Sequence, residues 1–226
     1  MQSLVHGPLH RSLLLALVSF LIAVAPGPTA AQEFPSGPVR IVVPFSPGGA
    51  TDTVARLVAD QLQTLWKQPV LVEHKPGAGT TIGADFVAKS APNGHVIGLV
   101  NSAFPLNPFL RKKMPYDTQK DFRAVTQIGS IHSALAARPD APYNNVRELV
   151  AYARAHPGVL NYGLSAVGSL GHLTMEMLKR QEKLDIVNVP FKGGSQVMTE
   201  MAAGRIDIAS DSFTVMLPHI AAGRLA

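Results

Sequence analysis

Short apolar runs alternate along the chain with segments in which apolar residues recur every three or four positions. Runs such as 39–43 predict buried strands, and the helical spacing within 54–66 predicts a helix that buries one face. Near-continuous apolar strands that alternate with helices indicate a parallel sheet covered on both faces, so the sequence predicts an α/β fold. The predicted strands are 39–43, 70–72, 96–100, 124–128, 134–137, 160–164, 186–189 and 206–210, and the predicted helices lie at 54–66, 82–87, 146–153, 170–178, 197–202 and 213–222.

The alternation is interrupted at 101–121, where a proline-rich stretch predicts irregular structure. A chain of 226 residues can form one or two domains, because single cores usually stop growing at about 250 residues. We place a first domain at 32–128 and a second at 129–226. Within the second, Asn145 (followed by Glu148 three positions later) and Ser169 are predicted helix N-caps.

Residues 1–31 have the organisation of a secretory signal peptide. A weakly basic start is followed by an apolar run at 13–25, then by Pro26-Gly27-Pro28, and small residues allow cleavage after Ala31. The apolar run is shorter than the roughly 20 residues needed to span a bilayer, although an uncleaved anchor stays an alternative. The sequence therefore predicts an exported protein.

Composition excludes several functional classes. The absence of Cys excludes disulfides, Cys-ligated zinc, iron–sulfur clusters and a thiol nucleophile. The formal net charge is +5, but the densest basic run is only Arg111-Lys112-Lys113 and aromatic residues do not interleave with it, which argues against nucleic-acid binding. The histidines after the signal peptide never pair at i, i+4, so we expect no metal site.

Candidate binding chemistry lies in four loops that each connect a predicted strand to a predicted helix. These loops are rich in Gly, Ser and Thr and lack an obvious acid–base pair; they span 44–52, 77–83, 165–169 and 190–195. Glycine lets backbone N–H groups approach a ligand, and a helix N-terminus adds unpaired donors and partial positive charge. Ligands of parallel α/β sheets bind at the carboxyl ends of strands. The loops therefore predict a receptor for a small anion rather than a catalyst.

Two nucleotide-binding interpretations of these loops fail on spacing. The 77–83 loop reads G-x-G-x-x-x-G, but the acidic residue expected about 20 positions later to hold a ribose is absent from 95–100. The 190–195 loop lacks the G-x4-G-K-[ST] pattern of a P-loop.

A secreted α/β hydrolase is the alternative from another class. Ser165 or Ser169 would be its nucleophile, with His172 and Asp211 as partners. The segment around Ser165 is not a G-x-S-x-G elbow, because it has one residue too many between the glycines.

Seven segments resemble, in order, the Bug-type extracytoplasmic solute receptors, which are the binding proteins of tripartite tricarboxylate transporters. The resemblance covers about 33–226, and each segment is weak evidence by itself. The segments are FPSGPVRIVVPFSPGG at 34–49, QPV at 68–70 with KPGAG at 75–79, PYD at 115–117, LNYG at 160–163, GHL at 171–173, VPFKG at 189–193 and PHIAAG at 218–223.

The resemblance implies a periplasmic-binding-protein-like fold of type II, in which two α/β domains close over a small carboxylated solute. It implies no enzymatic activity, no cofactor, a monomer, and as partners the membrane components of a transporter or a sensor protein. The matching ligand-binding positions are Ser46, Pro47, Gly48, Gly49, Thr51, Asp52, Ala78 and Gly79 in the first domain and Ser165, Gly168, Ser169, Lys192 and Asp211 in the second. Asn101 and Ser102, at the end of the third predicted strand, are expected to line the same cleft.

Two departures from the family pattern are visible. The loop at 165–169 carries fewer hydroxyl groups than the serine- and glycine-rich loop of the family. Family members also continue past the segment at 218–225 and return to complete the first domain, whereas this sequence stops at Ala226. We therefore expect an incomplete first domain, and a truncated, non-functional receptor fragment stays a further alternative.

Overall fold

The computed structural model describes residues 33–226, so the predicted signal peptide at 1–31 lies outside the described residues. Residues Gly37–Ala226 form one compact unit that contains two sheets. Every predicted strand except 124–128 corresponds to a strand in one of the two sheets, which confirms the α/β class.

The first sheet has three parallel strands and is followed along the chain by a short helix. The elements of this part of the chain are β1 (Val39–Val43), α1 (Ala50–Trp66), β2 (Val70–His74), a 3-10 turn (Ala78–Thr80), α2 (Thr81–Ala88), β3 (Val96–Gly98) and α3 (Ala103–Leu110). The strand order is β2-β1-β3, so the apolar strand β1 lies in the centre and pairs with β2 and β3, and α1 packs on β1 and β2.

The second sheet has four strands. The elements of this part of the chain are β4 (Ser133–Ala137), α4 (Val146–Ala155), β5 (Asn161–Leu164), α5 (Leu170–Glu182), β6 (Val187–Pro190), α6 (Gly194–Ala202), β7 (Ile208–Ser212) and α7 (Phe213–Ala221). The strand order is β4-β7-β5-β6, in which β5 runs parallel to β6 and β7, whereas β4 runs antiparallel to β7.

Most buried apolar residues of the described part of the chain belong to three clusters. One covers the first sheet and includes Val39, Ile41 and Val43, and it also takes in Ala166 from the loop after β5. The other two lie in the part of the chain that carries the second sheet, one around Tyr162 and the other formed largely by α6, α7 and the neighbouring strands. Because Ala166 is buried in the first cluster, the two sheets share apolar packing at the loops between them.

The antiparallel direction of β4 corrects the expectation of entirely parallel sheets. The predicted strand at 124–128 is also wrong, since this segment has no regular structure and Val125 is 82% exposed. The stretch at 101–121, predicted to be irregular, contains the helix α3. Pro105 lies in the first turn of α3, where a missing N–H is tolerated, and Pro108 lies inside the helix. The two errors in strands are not visible in local sequence pattern, because β pairing depends on which neighbours the fold supplies.

The predicted caps of the second half are confirmed. The N–H of Glu148 donates to the side chain of Asn145 at 3.0 Å, and the Glu148 carboxylate accepts from the N–H of Asn144 at 2.7 Å. The Ser169 hydroxyl accepts from the N–H of His172 at 3.3 Å, so Ser169 starts α5.

The first turn of α5 lies directly against the end of β7. A Cβ atom added to Gly171 would lie 1.8 Å from the carbonyl oxygen of Ser210, which is far inside van der Waals contact with a backbone atom. Only glycine therefore allows this helix to start where it does.

We predict that Gly171→Ala destabilises the protein by about 2 kcal/mol or more, because a helix or a strand must shift to admit the methyl group. The free energy of unfolding in urea measures the loss. Gly37→Ala is the matched control, because an added Cβ there meets no atom within 4 Å. Equal stability of the two variants would contradict the close contact.

Candidate functional site

A cavity of about 360 Å³ lies between the two sheets and receives the beginnings of five helices. The first residues or N-caps of α1, α3, α5, α6 and α7 all line it. The lining residues are Phe45, Gly49, Ala50, Thr51, Val100, Asn101, Ser102, Gly129, Ser130, Ile131, Ser133, Ser165, Ser169, Leu170, Gly171, Gly194, Ser210, Asp211, Ser212 and Val215. Because a helix N-terminus carries unpaired N–H donors and partial positive charge, this arrangement favours an anion.

Four of these helices have an N-cap that makes no side-chain capping hydrogen bond, namely Gly49 of α1, Ser102 of α3, Gly193 of α6 and Ser212 of α7. In α3 and α7 the first N–H already donates elsewhere, from Ala103 to the Asn101 side chain and from Phe213 to the carbonyl of His132. In α1 and α6 the N-cap side chain therefore leaves the first-turn donors at the cavity unoccupied.

The described residues that line this cavity include no lysine, arginine or histidine. Its polar side chains are hydroxyls and one amide, together with the carboxyl group of Asp211. An anion in the cavity would therefore be held by backbone N–H groups and hydroxyls, which recognise carboxylate without a formal countercharge.

A smaller cavity of about 250 Å³ lies beside the first and contains the basic side chains. Phe45 and Ser165 line both cavities. The other residues of the smaller one are Pro44, Gly77, Ala78, Gly79, Thr80, Arg111, Ala166, Val167, Pro190, Phe191 and Lys192. Positive charge at the cleft is thus concentrated in this neighbouring space.

The wall of the smaller cavity is a strained turn held by α3. Ala78 and Thr80 have φ of 45° and 80°, values that side-chain-bearing residues rarely adopt. The fully buried Asn107 donates to the carbonyl oxygen of Gly79 at 2.9 Å and to the Thr80 hydroxyl at 3.0 Å, and Arg111 donates to the carbonyl of Ala78. These contacts stabilise the turn in the conformation that faces the cleft.

The loop between β1 and α1 is organised by Asp52. Its Oδ2 accepts from the N–H of Gly48 at 2.8 Å, while its Oδ1 lies 2.8 Å from His74 Nε2 and 3.0 Å from Arg56 Nε. Burial would raise the pKa of Asp52, but the Gly48 N–H, His74 and Arg56 outweigh it and lower that pKa below its ordinary value of 3.8. The Asp52 side chain therefore holds the shape of the loop.

Loops of the two sheets touch directly at one side of the cleft. The N–H of Ser46 donates to the carbonyl of Lys192 at 3.0 Å, and the Ser195 hydroxyl donates to the carbonyl of Pro47 at 2.9 Å. A Cβ on Gly193 would lie 3.2 Å from the Ser46 nitrogen, so glycine permits this approach. The structure therefore shows the cleft closed at this point.

The structure brings most of the predicted site residues to the two cavities. Seven line the larger cavity, namely Gly49, Thr51, Asn101, Ser102, Ser165, Ser169 and Asp211. Ala78, Gly79 and Lys192 line the smaller one. Five line neither, namely Ser46, Pro47, Gly48, Asp52 and Gly168. Of these five, Ser46 and Pro47 form the contact between loops, and Gly168 donates its N–H to the ring of His172.

Sequence reasoning missed the part of the cavity wall that surrounds β4. Because β4 is antiparallel to β7, its amino end lies beside the carboxyl end of β7, and a search limited to carboxyl ends passes over it. Strand β7 also runs two residues further than predicted. On β4, on β7 and in the segment before β4, the missed lining residues are Gly129, Ser130, Ile131, Ser133, Ser210 and Ser212, and Arg111 was missed at the smaller cavity.

The hydrolase alternative fails on the role of His172. Its Nδ1 accepts the N–H of Gly168 at 3.1 Å, so a neutral ring carries its proton on Nε2 and has no free lone pair for a general base. Burial lowers the pKa of His172, with a smaller opposing effect from Glu176. The Ser169 hydroxyl is used as the cap of α5.

Two β-sheets whose strands are connected by helices, and which face a cleft lined by helix N-termini, define a protein of the periplasmic-binding-protein class. The family described as tripartite tricarboxylate transporter family receptor matches residues 54–226, and the chain belongs to this family. A UPF0065 protein of Bordetella pertussis is 37% identical over 199 residues, which cover 88% of this chain and 61% of that protein.

Solved structures show the same architecture. Rpa4515 of R. palustris, solved with adipate, is 32% identical with a TM-score of 0.82 and is matched over 85% of this chain and 65% of its own. MatC from Rhodopseudomonas palustris, solved with malate, is 32% identical with a TM-score of 0.77, and the match covers 85% of this chain and 66% of MatC. The chain thus spans slightly less than two thirds of the length of these proteins.

We predict that Asp52→Asn lowers stability by about 1–3 kcal/mol at neutral pH, because a buried, charge-assisted network is lost. The folded pKa of Asp52 is depressed, so its contribution is present above the ordinary value of 3.8 and is lost as pH falls through the folded pKa. Urea unfolding as a function of pH should show the two proteins converging in acid. Asp60→Asn, an exposed position of the same helix, should show neither effect.

Proposed function

We propose that the protein is an extracytoplasmic receptor that binds a small carboxylated solute in the cavity of about 360 Å³. The observation that carries the proposal is the convergence of five helix N-termini on a cavity whose described lining has no cationic side chain. Carboxylate matches such a site because it accepts several N–H and hydroxyl hydrogen bonds at once.

The relatives support a solute receptor rather than an enzyme. The matched family is one of transporter receptors, and two structures with the same fold were solved with adipate and malate, both of which are carboxylates. Binding and release need no acid–base pair, which agrees with the use of His172 Nδ1 as an acceptor for a backbone N–H.

We further propose export to the periplasm by the signal peptide at 1–31, with cleavage near Ala31. Delivery to the membrane components of a tripartite transporter, or to a sensor protein, would follow, with the receptor acting as a monomer without cofactor or nucleic acid. No helix within 33–226 is long and apolar enough to cross a membrane. Intact-mass measurement of the protein from a periplasmic extract tests the cleavage site.

We predict that a carboxylate ligand raises the unfolding midpoint of the protein. A ligand present at about 100 times its Kd adds about 2.7 kcal/mol to the free energy of unfolding. For a chain of this size the midpoint rises about 2–4 °C per kcal/mol. Thermal unfolding and calorimetry with a panel of mono-, di- and tricarboxylates show which class of carboxylate binds, and the corresponding amides serve as uncharged controls.

Thr51→Val should weaken the binding of the best carboxylate about tenfold, because it removes a cavity hydroxyl with little change of volume. Thr64→Val is the matched control, since Thr64 is an exposed position of the same helix whose hydroxyl bonds to Asp60. A cooperatively folded protein that binds no carboxylate, or two variants with equal affinity, would contradict the proposed site.

A further inference from the structure

The stretch at 101–123 carries most of the excess positive charge of the described chain. It contains five basic and two acidic side chains, whereas the rest of 33–226 contains fourteen basic and thirteen acidic side chains. The excess therefore lies at the end of α3 and in the chain that follows it. The five basic residues are Arg111, Lys112, Lys113, Lys120 and Arg123. Arg111 lines the smaller cavity, whereas the other four line neither cavity.

Three of these cations have no carboxylate beside them. Lys112, Lys113 and Arg123 are exposed, and none of them forms an ion pair with another described residue. Lys120 differs, because its Nζ lies 3.6 Å from Oδ2 of Asp117. The three unpaired cations give this part of the surface a positive charge that an anionic partner can neutralise.

Two apolar side chains next to these cations are exposed to solvent. Phe109 is 84% exposed at the end of α3, and Val125, two residues after Arg123, is 82% exposed. They are the two most exposed large apolar side chains in the described part of the chain. Exposed apolar side chains among polar and charged ones mark surfaces that bind membranes or other macromolecules.

An aromatic cluster holds together the two stretches that carry these side chains. The ring centroid of Phe104 in α3 lies 4.9 Å from that of Phe122 and 6.1 Å from that of the buried Tyr116. The rings of Tyr116 and Phe122 lie 5.1 Å apart. Tyr116 follows the run at 111–113, and Phe122 precedes Arg123. The cluster therefore anchors both stretches on the same helix and keeps them on neighbouring parts of the surface.

We define the basic patch as Phe109, Lys112, Lys113, Arg123 and Val125. None of the five lines either of the two cavities described above, so neither cavity can seat the anchor residue of a protein partner at the patch. A bilayer needs no pocket of complementary shape. The long stems of lysine and arginine let their charged ends reach anionic headgroups, while an exposed phenylalanine or valine enters the apolar edge of the interface.

We propose that the basic patch binds the surface of a bilayer that contains anionic lipids. The cations supply an attraction that salt screens, and Phe109 and Val125 supply an apolar contribution that salt does not screen. The inference goes beyond the proposed function, because the patch lies outside the two cavities. A receptor held in this way would stay close to the membrane that contains its transporter.

The experiment is co-sedimentation with vesicles of phosphatidylcholine, alone or with about 30% phosphatidylglycerol as the anionic lipid. The protein is used without residues 1–31, because the apolar run at 13–25 would bind vesicles by itself, and the compact unit begins at Gly37. We expect about tenfold stronger partition onto the anionic vesicles than onto the neutral ones. Raising the salt from about 50 mM to about 500 mM should remove most of this difference.

A pair of double variants tests the charged part of the basic patch. Lys112→Gln with Lys113→Gln should weaken partition onto anionic vesicles about tenfold at low salt, because two unpaired cations are lost. Arg147→Gln with Arg180→Gln is the matched control, since both arginines are exposed and form no ion pair with another described residue. The control loses the same net charge and should partition within about twofold of the unmodified protein.

A second pair tests the apolar part. Phe109→Ser with Val125→Ser should weaken partition about fivefold or more, by the same factor at low and at high salt, because apolar burial is not screened. Leu65→Ser with Met177→Ser is the matched control, because these side chains are 74% and 70% exposed and lie far along the chain from the patch. It should leave partition unchanged.

Equal partition onto neutral and anionic vesicles, or equal losses in patch and control variants, would overturn the inference. Binding to membrane vesicles from the producing cells that protease treatment of those vesicles abolishes, without binding to the pure lipid vesicles, would also overturn it and would identify a protein as the partner. The shift of the unfolding midpoint with a carboxylate should be the same in all four double variants. A failure of the basic patch is therefore distinguishable from a failure of the proposed receptor function.

Discussion

The close contact between the first turn of α5 and the end of β7 is the constraint on which the geometry of the site depends. It brings the backbone of Gly171 against the carbonyl of Ser210, one residue before Asp211. The N-terminus of α5 and the last residues of β7 consequently open into the same cavity. Strand β7 continues directly into α7, so the position of a second helix N-terminus is set by the same contact.

The site separates backbone donors from charged side chains. The larger cavity is lined by helix N-termini and hydroxyls, whereas Arg111 and Lys192 lie at the smaller one. Fixed backbone dipoles hold an anion without the desolvation cost that a buried lysine or arginine would add. Arg111 also donates hydrogen bonds to the carbonyl of Ala78 and to the side chain of Asn107, so these two side chains together stabilise the turn at Ala78–Thr80. The cations at the cleft therefore support the loops and leave the larger cavity to neutral donors.

Most of the fold could be predicted from sequence because strands and helices of this class leave strong periodic patterns. The exceptions depend on tertiary structure. The direction of β4 follows from its pairing with β7, and α3 forms although Pro105 and Pro108 lie within it. At the site, the rule that ligands meet the carboxyl ends of parallel strands found the loops after β1 and β5. It could not find Ser133, which enters the cavity only because β4 is antiparallel.

Asp52, which the resemblance assigns to ligand binding, acts on the backbone of the loop between β1 and α1. Its carboxylate fixes Gly48, and the next residue, Gly49, is the N-cap of α1 that lines the larger cavity. The residue before Gly48 is Pro47, whose carbonyl accepts the Ser195 hydroxyl from the other sheet. One buried carboxylate thus connects the donor geometry of the cavity to the contact that closes it. A change in the shape of this loop would therefore alter both the N–H groups at the cavity and the fit between the two sheets.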